Sequence, residues 1–197
     1  MGLIVRSALA TDAPAVGSLA KQFASYLRTL GDQTDFKLTA EAFLRDGFGL
    51  RPAFEGLVAE RDGKVLGYLL YHFGYDSDGA FRNLHIVDLY VDFKARKKGV
   101  GRALMKAAAG IARQAGVREM IWSVYHANDL AASFYERLGA SRISDLFFMK
   151  LPVDAPLIEA PLNRLEGAAR LSQSKRVNVK VPNGTIMPSW IAGNPVN

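Results

Sequence analysis

Val91-Asp92-Phe93-Lys94-Ala95-Arg96-Lys97-Lys98-Gly99-Val100-Gly101-Arg102-Ala103-Leu104 is the stretch whose reading decides the fold. Val91 closes an apolar, strand-like run, and the chain then turns through three consecutive cations and two glycines into the strongest helical pattern in the sequence. Val100, Ala103, Leu104, Ala107, Ala108, Ile111, Ala112 and Ala115 recur at the spacing of one buried helix face, and Gly116 supplies the stop. The spacing predicts a helix over 101–115. A strand, a basic glycine turn and a helix start in succession suit a pyrophosphate. Glycines without Cβ let a ligand approach the backbone, first-turn amides point outward, and the helix dipole and the Lys and Arg side chains add positive potential. From spacing alone, a solvated basic turn is the alternative. Two other phosphate loops match poorly. A Walker loop needs four residues between its glycines followed by Lys and Ser or Thr. A Rossmann loop starts at the strand end and has a third Gly where Leu104 stands, with its acidic residue where Tyr125-His126 stand.

Upstream of this stretch, Leu3 to Arg6 reads as a strand, and Thr11-Asp12 as the cap of a helix whose apolar face is Ala15, Val16, Leu19, Ala20, Phe23 and Leu27. Leu38 to Leu44 is a candidate short helix, with Asp46-Gly47-Phe48-Gly49 as a turn-rich connection. Gly56 to Glu60 and Val65 to Phe73 form a hairpin around Asp62-Gly63, and a third strand over Leu84 to Val91 follows the turn Asp76-Ser77-Asp78-Gly79. Downstream, Met120 to Tyr125 is a strand, Asn128 caps a helix through Leu138, Gly139 ends it, and Leu146 to Leu151 is a last strand. The order predicts a mixed α/β layer rather than a regular βαβ repeat. Beyond 151 the character changes, because six of the eight prolines lie there. Residues 1–151 are therefore expected to form one domain and 152–197 a Pro-rich C-terminal extension, extended or partly disordered, with only weak helical periodicity at Leu162 to Leu171.

Composition narrows the function classes. At 197 residues and 49% hydrophobic content, the chain suits one domain with an appendage. It has no Cys and only three scattered His, which argues against disulfides, a cysteine nucleophile and a metal site. No apolar run reaches membrane-spanning or signal length, so a cytoplasmic protein without a membrane partner is expected. A net charge of +6 favours an anionic partner such as nucleic acid, acidic lipid or a phosphorylated cofactor, without choosing among them.

The motif Arg96-x-x-Gly99-x-Gly101 follows the strand His85-Ile86-Val87-Asp88-Leu89-Tyr90-Val91. It precedes Asn128-x-x-Ala131-x-x-Phe134-Tyr135-x-x-x-Gly139-Ala140. In that order, these resemble the acetyl-CoA core of the Gcn5-related N-acetyltransferases (GNAT). Leu38-Thr39, Asp46-Gly47-Phe48-Gly49, Pro52 with Phe54, Leu57-Val58-Ala59-Glu60 and Tyr71 to Asp76 further resemble the diamine (spermidine/spermine) and thialysine branch. The resemblance implies a mostly antiparallel central sheet flanked by helices, acetyl-CoA as co-substrate with no metal, a small-molecule amine substrate (polyamine, diamine or amino-acid analogue), and a homodimer. It also implies that the backbone at Leu89, Tyr90 and Val91 holds the pantetheine arm. The cofactor set is completed by Arg96, Lys97, Lys98, Gly99, Val100, Gly101, Arg102, Asn128 and Tyr135.

Acetyl transfer to an amine needs a deprotonated nucleophile, stabilisation of the carbonyl oxygen and a proton for the departing thiolate. Tyr135 matches the family's tyrosine near the coenzyme sulfur and is the candidate general acid, although a tyrosine beside the apolar face of Leu130, Phe134 and Leu138 also suits a plain core position. The diamine branch usually carries Glu-Asp where this chain has Val87-Asp88, so the usual base is missing. Asp88 is the surviving candidate base, read as flanked by Ile86 and Tyr90 on one strand face where desolvation raises its pKa; a structural or substrate-binding role is its alternative. His126 is a second candidate, and His72 and His85 are weaker ones. For a polyamine, an acidic groove from Asp32, Asp35, Glu41, Asp76 and Asp78 is expected. Two competing readings keep other partners. One is an acetyltransferase acting on protein lysines or N-termini. The other is a non-enzymatic nucleic-acid-binding module using Lys94, Arg96, Lys97, Lys98, Arg102 and Lys106, disfavoured because no aromatics interleave these cations.

Overall fold

Period-two apolar alternation in the first half of the chain folds into a single five-stranded sheet, in a computed structural model that describes residues 2–146 and 148–152. The strands are β1 (Ile4–Ser7), β2 (Glu55–Arg61), β3 (Lys64–Asp76), β4 (Phe81–Val91) and β5 (Glu119–Ile121), arranged in chain order across the sheet. The pairs from β1 to β4 are antiparallel, and β4 and β5 run parallel. The helices are α1 (Ala13–Thr29), α2 (Ala40–Phe48), α3 (Val100–Gln114) and α4 (Asp129–Glu136). The expected mixed, mostly antiparallel α/β architecture is therefore present. Among the described residues no helix is long and apolar enough to cross a membrane.

Each sheet face is covered by the apolar stripe of a different helix. Val16, Leu19 and Ala20 of α1 and Phe43 of α2 pack on Val58, Tyr68, Leu70 and Tyr90. On the opposite face, Val100, Leu104, Met105, Ala108 and Ala112 of α3 pack on Leu57, Leu69, Tyr71, Leu84 and Ile86. Each fully buried Leu, Val or Phe in these layers contributes roughly 1.5–3 kcal/mol of transfer free energy. The β2–β3 hairpin closes through Asp62-Gly63, both at positive φ, the conformation that the right-handed strand twist selects for a two-residue turn.

Several local expectations are corrected. Asp12 does not cap α1 through its side chain. Its carboxylate instead accepts from the Leu9 amide at 2.8 Å and from both terminal nitrogens of Arg6 at 2.7 and 2.9 Å, a charge-assisted bidentate pair. The Arg6 pair holds the Asp12 carboxyl below its ordinary range. The segment 46–48, expected in a turn, completes α2, since Phe43 is fully buried and its ring stands 5.4 Å from Phe48 and 5.9 Å from Phe54. The strand expected at 120–125 stops at Ile121. The last strand, expected at 146–151, is not formed at its described positions: Leu146, Phe148, Met149 and Leu151 are 60 to 87% exposed, so no buried face holds an extended segment there. By compactness the chain divides into Met1–Arg142 and Ile143–Asn197. The former carries all the elements above, while the described residues of the latter form neither helix nor strand. The Pro-rich extension lies outside the described residues from 153 onward.

Candidate active site

The β3–β4 register shows what the alternation in sequence could not. Tyr71 pairs with Ile86 and Leu70 with Asp88, so Val87 is an extra residue, a β-bulge in β4. A bulge of one residue reverses which face every later side chain meets. Ile86 consequently stays on the α3 face with Leu84, whereas Tyr90 joins the α1 face. Asp88, paired with Leu70, shares that second face, so the expectation that Ile86 and Asp88 are neighbours on one face is overturned.

The bulge also ends the pairing of β4 with β5. The two strands are in register only over Asn83↔Glu119, Leu84↔Met120 and His85↔Ile121. Beyond that point residues 87–91 and 122–125 line opposite walls of one cavity of about 820 Å³. The edge of β4 at Leu89, Tyr90 and Val91 thus runs along the cavity, offering backbone donors and acceptors to an extended ligand.

At one end stands the start of α3. Gly99 is its N-cap at φ +82°, with no side-chain cap on the helix, so first-turn amides are left for a ligand. A Cβ at Gly99 would meet nothing within 4 Å, but the left-handed backbone there disfavours any other residue. Gly101 plays a different part: a Cβ on it would come within 3.2 Å of the Phe134 ring, so its role is close packing of α3 on α4. Arg96, Lys97, Gly99, Val100, Gly101 and Arg102 all line the cavity. Lys98 does not. Its Nζ donates to the Lys94 carbonyl at 2.9 Å, and it lines a separate shallow depression with Arg61, Lys64 and Lys94. The basic run is thus divided between two surfaces rather than presented as one stripe.

Arg96 is held inward. Its Nε donates to the Val91 carbonyl at 3.2 Å, and its guanidinium lies 4.8 Å from the Tyr26 ring and 5.2 Å from the Tyr90 ring. Tyr26 also donates its hydroxyl proton to Asn128 Oδ1 at 2.8 Å, and the same oxygen accepts from the Ala131 amide, capping α4. Asn128 is buried and lines the cavity. Tyr26 therefore ties α1 to both halves of the phosphate-side machinery across 102 residues of sequence. Nothing local in the sequence marked it.

Asp88 and Tyr135 both line the cavity. The Tyr68 hydroxyl, fully buried, donates to Asp88 Oδ2 at 2.5 Å. Desolvation pushes the Asp88 carboxyl up from its ordinary value to about 7, against the opposing pull of the Tyr68 hydrogen bond and the Leu89 amide. Tyr135 packs its ring 4.9 Å from Trp122 and 5.1 Å from Phe134. Burial first, and the Asp88 charge second, raise its phenol to about 12. The other candidate bases are elsewhere. His126 is exposed and outside the cavity lining, while His72 and His85 form a cross-strand pair at 2.9 Å whose nitrogens engage each other. Burial and the neighbouring His72 lower His85. Among the described residues no cluster of three His, Cys, Asp or Glu is placed to hold a metal ion. Tyr68, Tyr26, Phe23, Phe36 and Phe54 were not anticipated as site residues. Tyr68 was legible in principle, since alternation puts it on the face of Leu70, but only the bulged register brings Asp88 there.

The residues present fit coenzyme A: a cationic helix start for the diphosphate, a cavity-facing strand edge for the amide-bearing arm, and a carboxyl and a phenol beside its end. Comparison with known proteins agrees. The model of the Acetyltransferase (GNAT) family matches residues 21–140. The chain is 32% identical over 151 residues to a thialysine N-epsilon-acetyltransferase of Bos taurus, covering 73% of this chain and 86% of that one. It is also 32% identical over 147 residues to a human spermidine/spermine N(1)-acetyltransferase-like protein 1, covering 71% of this chain but 21% of that longer protein. Among solved structures, the tetramutant of the BH1408 protein from Bacillus halodurans shares the fold at a TM-score of 0.64 and 24% identity, over 76% of this chain and 99% of that one.

Proposed function

This chain belongs to the GNAT acetyltransferase family, and from that premise we propose that it moves an acetyl group from acetyl-CoA to the primary amine of a small molecule within a ternary complex. The observation that carries the reading is that β4 leaves β5 after His85, so that residues 89–91 line one cavity together with the α3 start, Asp88 and Tyr135. Bound acetyl-CoA supplies an acyl carbonyl already activated as a thioester. The first-turn amides of α3, with Lys97 and Arg102, bind its phosphates. The β4 edge orients the arm and places backbone donors beside the carbonyl oxygen.

Asp88 takes the proton from the incoming ammonium. A carboxyl near pKa 7 is substantially ionised at neutral pH and is basic enough to accept a proton from an amine whose own pKa falls on entering an apolar cavity. Tyr68 holds Asp88 Oδ2 in place. Tyr135 holds its proton at neutral pH and delivers it to the departing thiolate, and the proton lost by the newly acetylated nitrogen as the C–S bond breaks restores the phenol. A homodimer in the cytoplasm, without a nucleic-acid or membrane partner, completes the proposal; it is supported by the likeness of the upstream segments to the diamine and thialysine branch.

Calorimetry with purified protein and coenzyme A, followed by mass spectrometry of reactions with acetyl-CoA and a panel of amines and peptides, tests the reading. Coenzyme binding with mass gain of one acetyl group on a small amine is expected. Absence of coenzyme binding, or acetylation of peptides alone, overturns it.

A further inference from the structure

Resting on the transferase reading, we infer that the acceptor is an amine with one cationic head and an apolar or aromatic body, rather than a polyamine. The cavity has two chemically different halves. On the α1 side of the sheet, where Asp88 emerges, its wall is Phe23, Phe36, Leu38, Phe54 and Leu70, all belonging to or packed on the same apolar cluster. The rings interlock: Phe23 meets Phe36 edge-on at 5.5 Å and Tyr90 at 5.3 Å. Among the described residues of the lining, Asp88 is the only carboxylate, against four cations, Arg96, Lys97, Arg102 and Arg137.

One carboxylate suits one ammonium. A second ammonium in the aromatic half would leave water without a counter-charge, which is unfavourable in an apolar site. The rings of Tyr26 and Tyr90 offer it little help, because their faces are already engaged by the Arg96 guanidinium. Among the described residues, the carboxylates expected to form an acidic groove for a polyamine do not line the cavity. Asp32 is outside it, accepting from the Thr34 amide at 2.9 Å and from the Tyr125 hydroxyl at 3.1 Å. Asp35 pairs with Lys37 at 3.4 Å, and Asp76 accepts from the Gly79 amide in the β3–β4 turn. Glu41 and Asp78 are exposed and do not line the cavity. An apolar body of up to about the size of a phenylethyl group, by contrast, gains from desolvating against five hydrophobic side chains while its amine meets Asp88.

The test compares 2-phenylethylamine, hexylamine, putrescine and spermidine in two measurements on the full chain. Calorimetric titration of the protein saturated with coenzyme A reads the pocket independently of catalysis, and the mass of the products reads transfer. The aromatic monoamine should bind at least tenfold more tightly than putrescine or spermidine, with a correspondingly higher kcat/KM. Equal or tighter binding of spermidine overturns the inference while leaving the transferase reading intact. Tight binding of phenylethylamine without any acetylated product supports the pocket assignment and removes the transferase reading. In Phe36→Glu, a second carboxylate at the aromatic wall should narrow the preference at least threefold by strengthening putrescine; an unchanged ratio in a folded variant counts against the inference.

Discussion

Asp88 illustrates how one side chain couples stability to chemistry. Its folded pKa, near 7, lies above the ordinary value of 3.8, so folding favours the neutral form. The stabilising contribution is complete below about pH 4 and is lost as pH rises through 7. As the proposed base, however, Asp88 is needed as the carboxylate. We therefore expect kcat/KM to climb as pH rises through about 7, and Asp88→Asn to abolish that rise together with most of the activity. The same substitution should raise thermal stability at pH 8, by about 1–3 kcal/mol, and change it little at pH 4, where Asp88 is already neutral. Melting curves at the two pH values check this, and equal shifts at both would show that the carboxylate is not strained by burial. Tyr135 makes a complementary case. Because its phenol stays protonated well beyond neutrality, Tyr135→Phe removes a proton donor with little change in shape. Turnover should fall by about 10²-fold or more while the coenzyme dissociation constant stays within a few-fold. A turnover like that of the unaltered chain would remove Tyr135 as the acid.

At the level of elements, β4 and α3 divide the work of building the site. The bulge at Val87 turns Asp88 from the α3 face to the α1 face and releases the β4 edge from β5. The α3 start then faces that edge, with Gly99 in a left-handed conformation as its N-cap. The two glycines of the motif differ in consequence. Gly99→Ala should cost about 1–2 kcal/mol in backbone strain and weaken coenzyme binding by displacing the first-turn amides, since a Cβ there touches nothing. Gly101→Val should act chiefly by forcing Phe134 away from α3, lowering Tm more than Gly99→Ala does, because its Cβ would press within 3.2 Å of that ring. Thermal melts and calorimetry on the two variants separate strain at the turn from displacement of α4; a greater Tm loss in Gly99→Ala would reverse the assignment.

Across the whole molecule, much of the fold was legible because helical and strand periodicities are local properties of the chain. The α3 stripe from Val100 to Ala112, the Asp62-Gly63 hairpin and the Asn128 cap were all read correctly from residue spacing. The glycine-containing cationic turn that leads into α3 was legible for the same reason, since it lies in one continuous segment. The boundaries that failed depended on partners. Tyr125 was assigned to a strand that in the structure ends at Ile121, since β-branched and aromatic residues extend a strand only where a neighbour supplies hydrogen bonds, and β4 has turned away. Asp12 reads as a cap from its local sequence, whereas Arg6, itself bound to Glu60 from 54 residues away, takes its carboxylate. The tertiary structure alone decided which face Asp88 occupies, that Tyr68 and not Ile86 is its neighbour, that Tyr26 reaches Asn128, and that the α1-side wall of the cavity is aromatic. Each of these depends on register or on contacts between segments far apart in the chain, from 20 residues for Tyr68–Asp88 to 102 for Tyr26–Asn128. A single inserted residue in a strand leaves the local pattern of apolar residues intact while reversing every face beyond it.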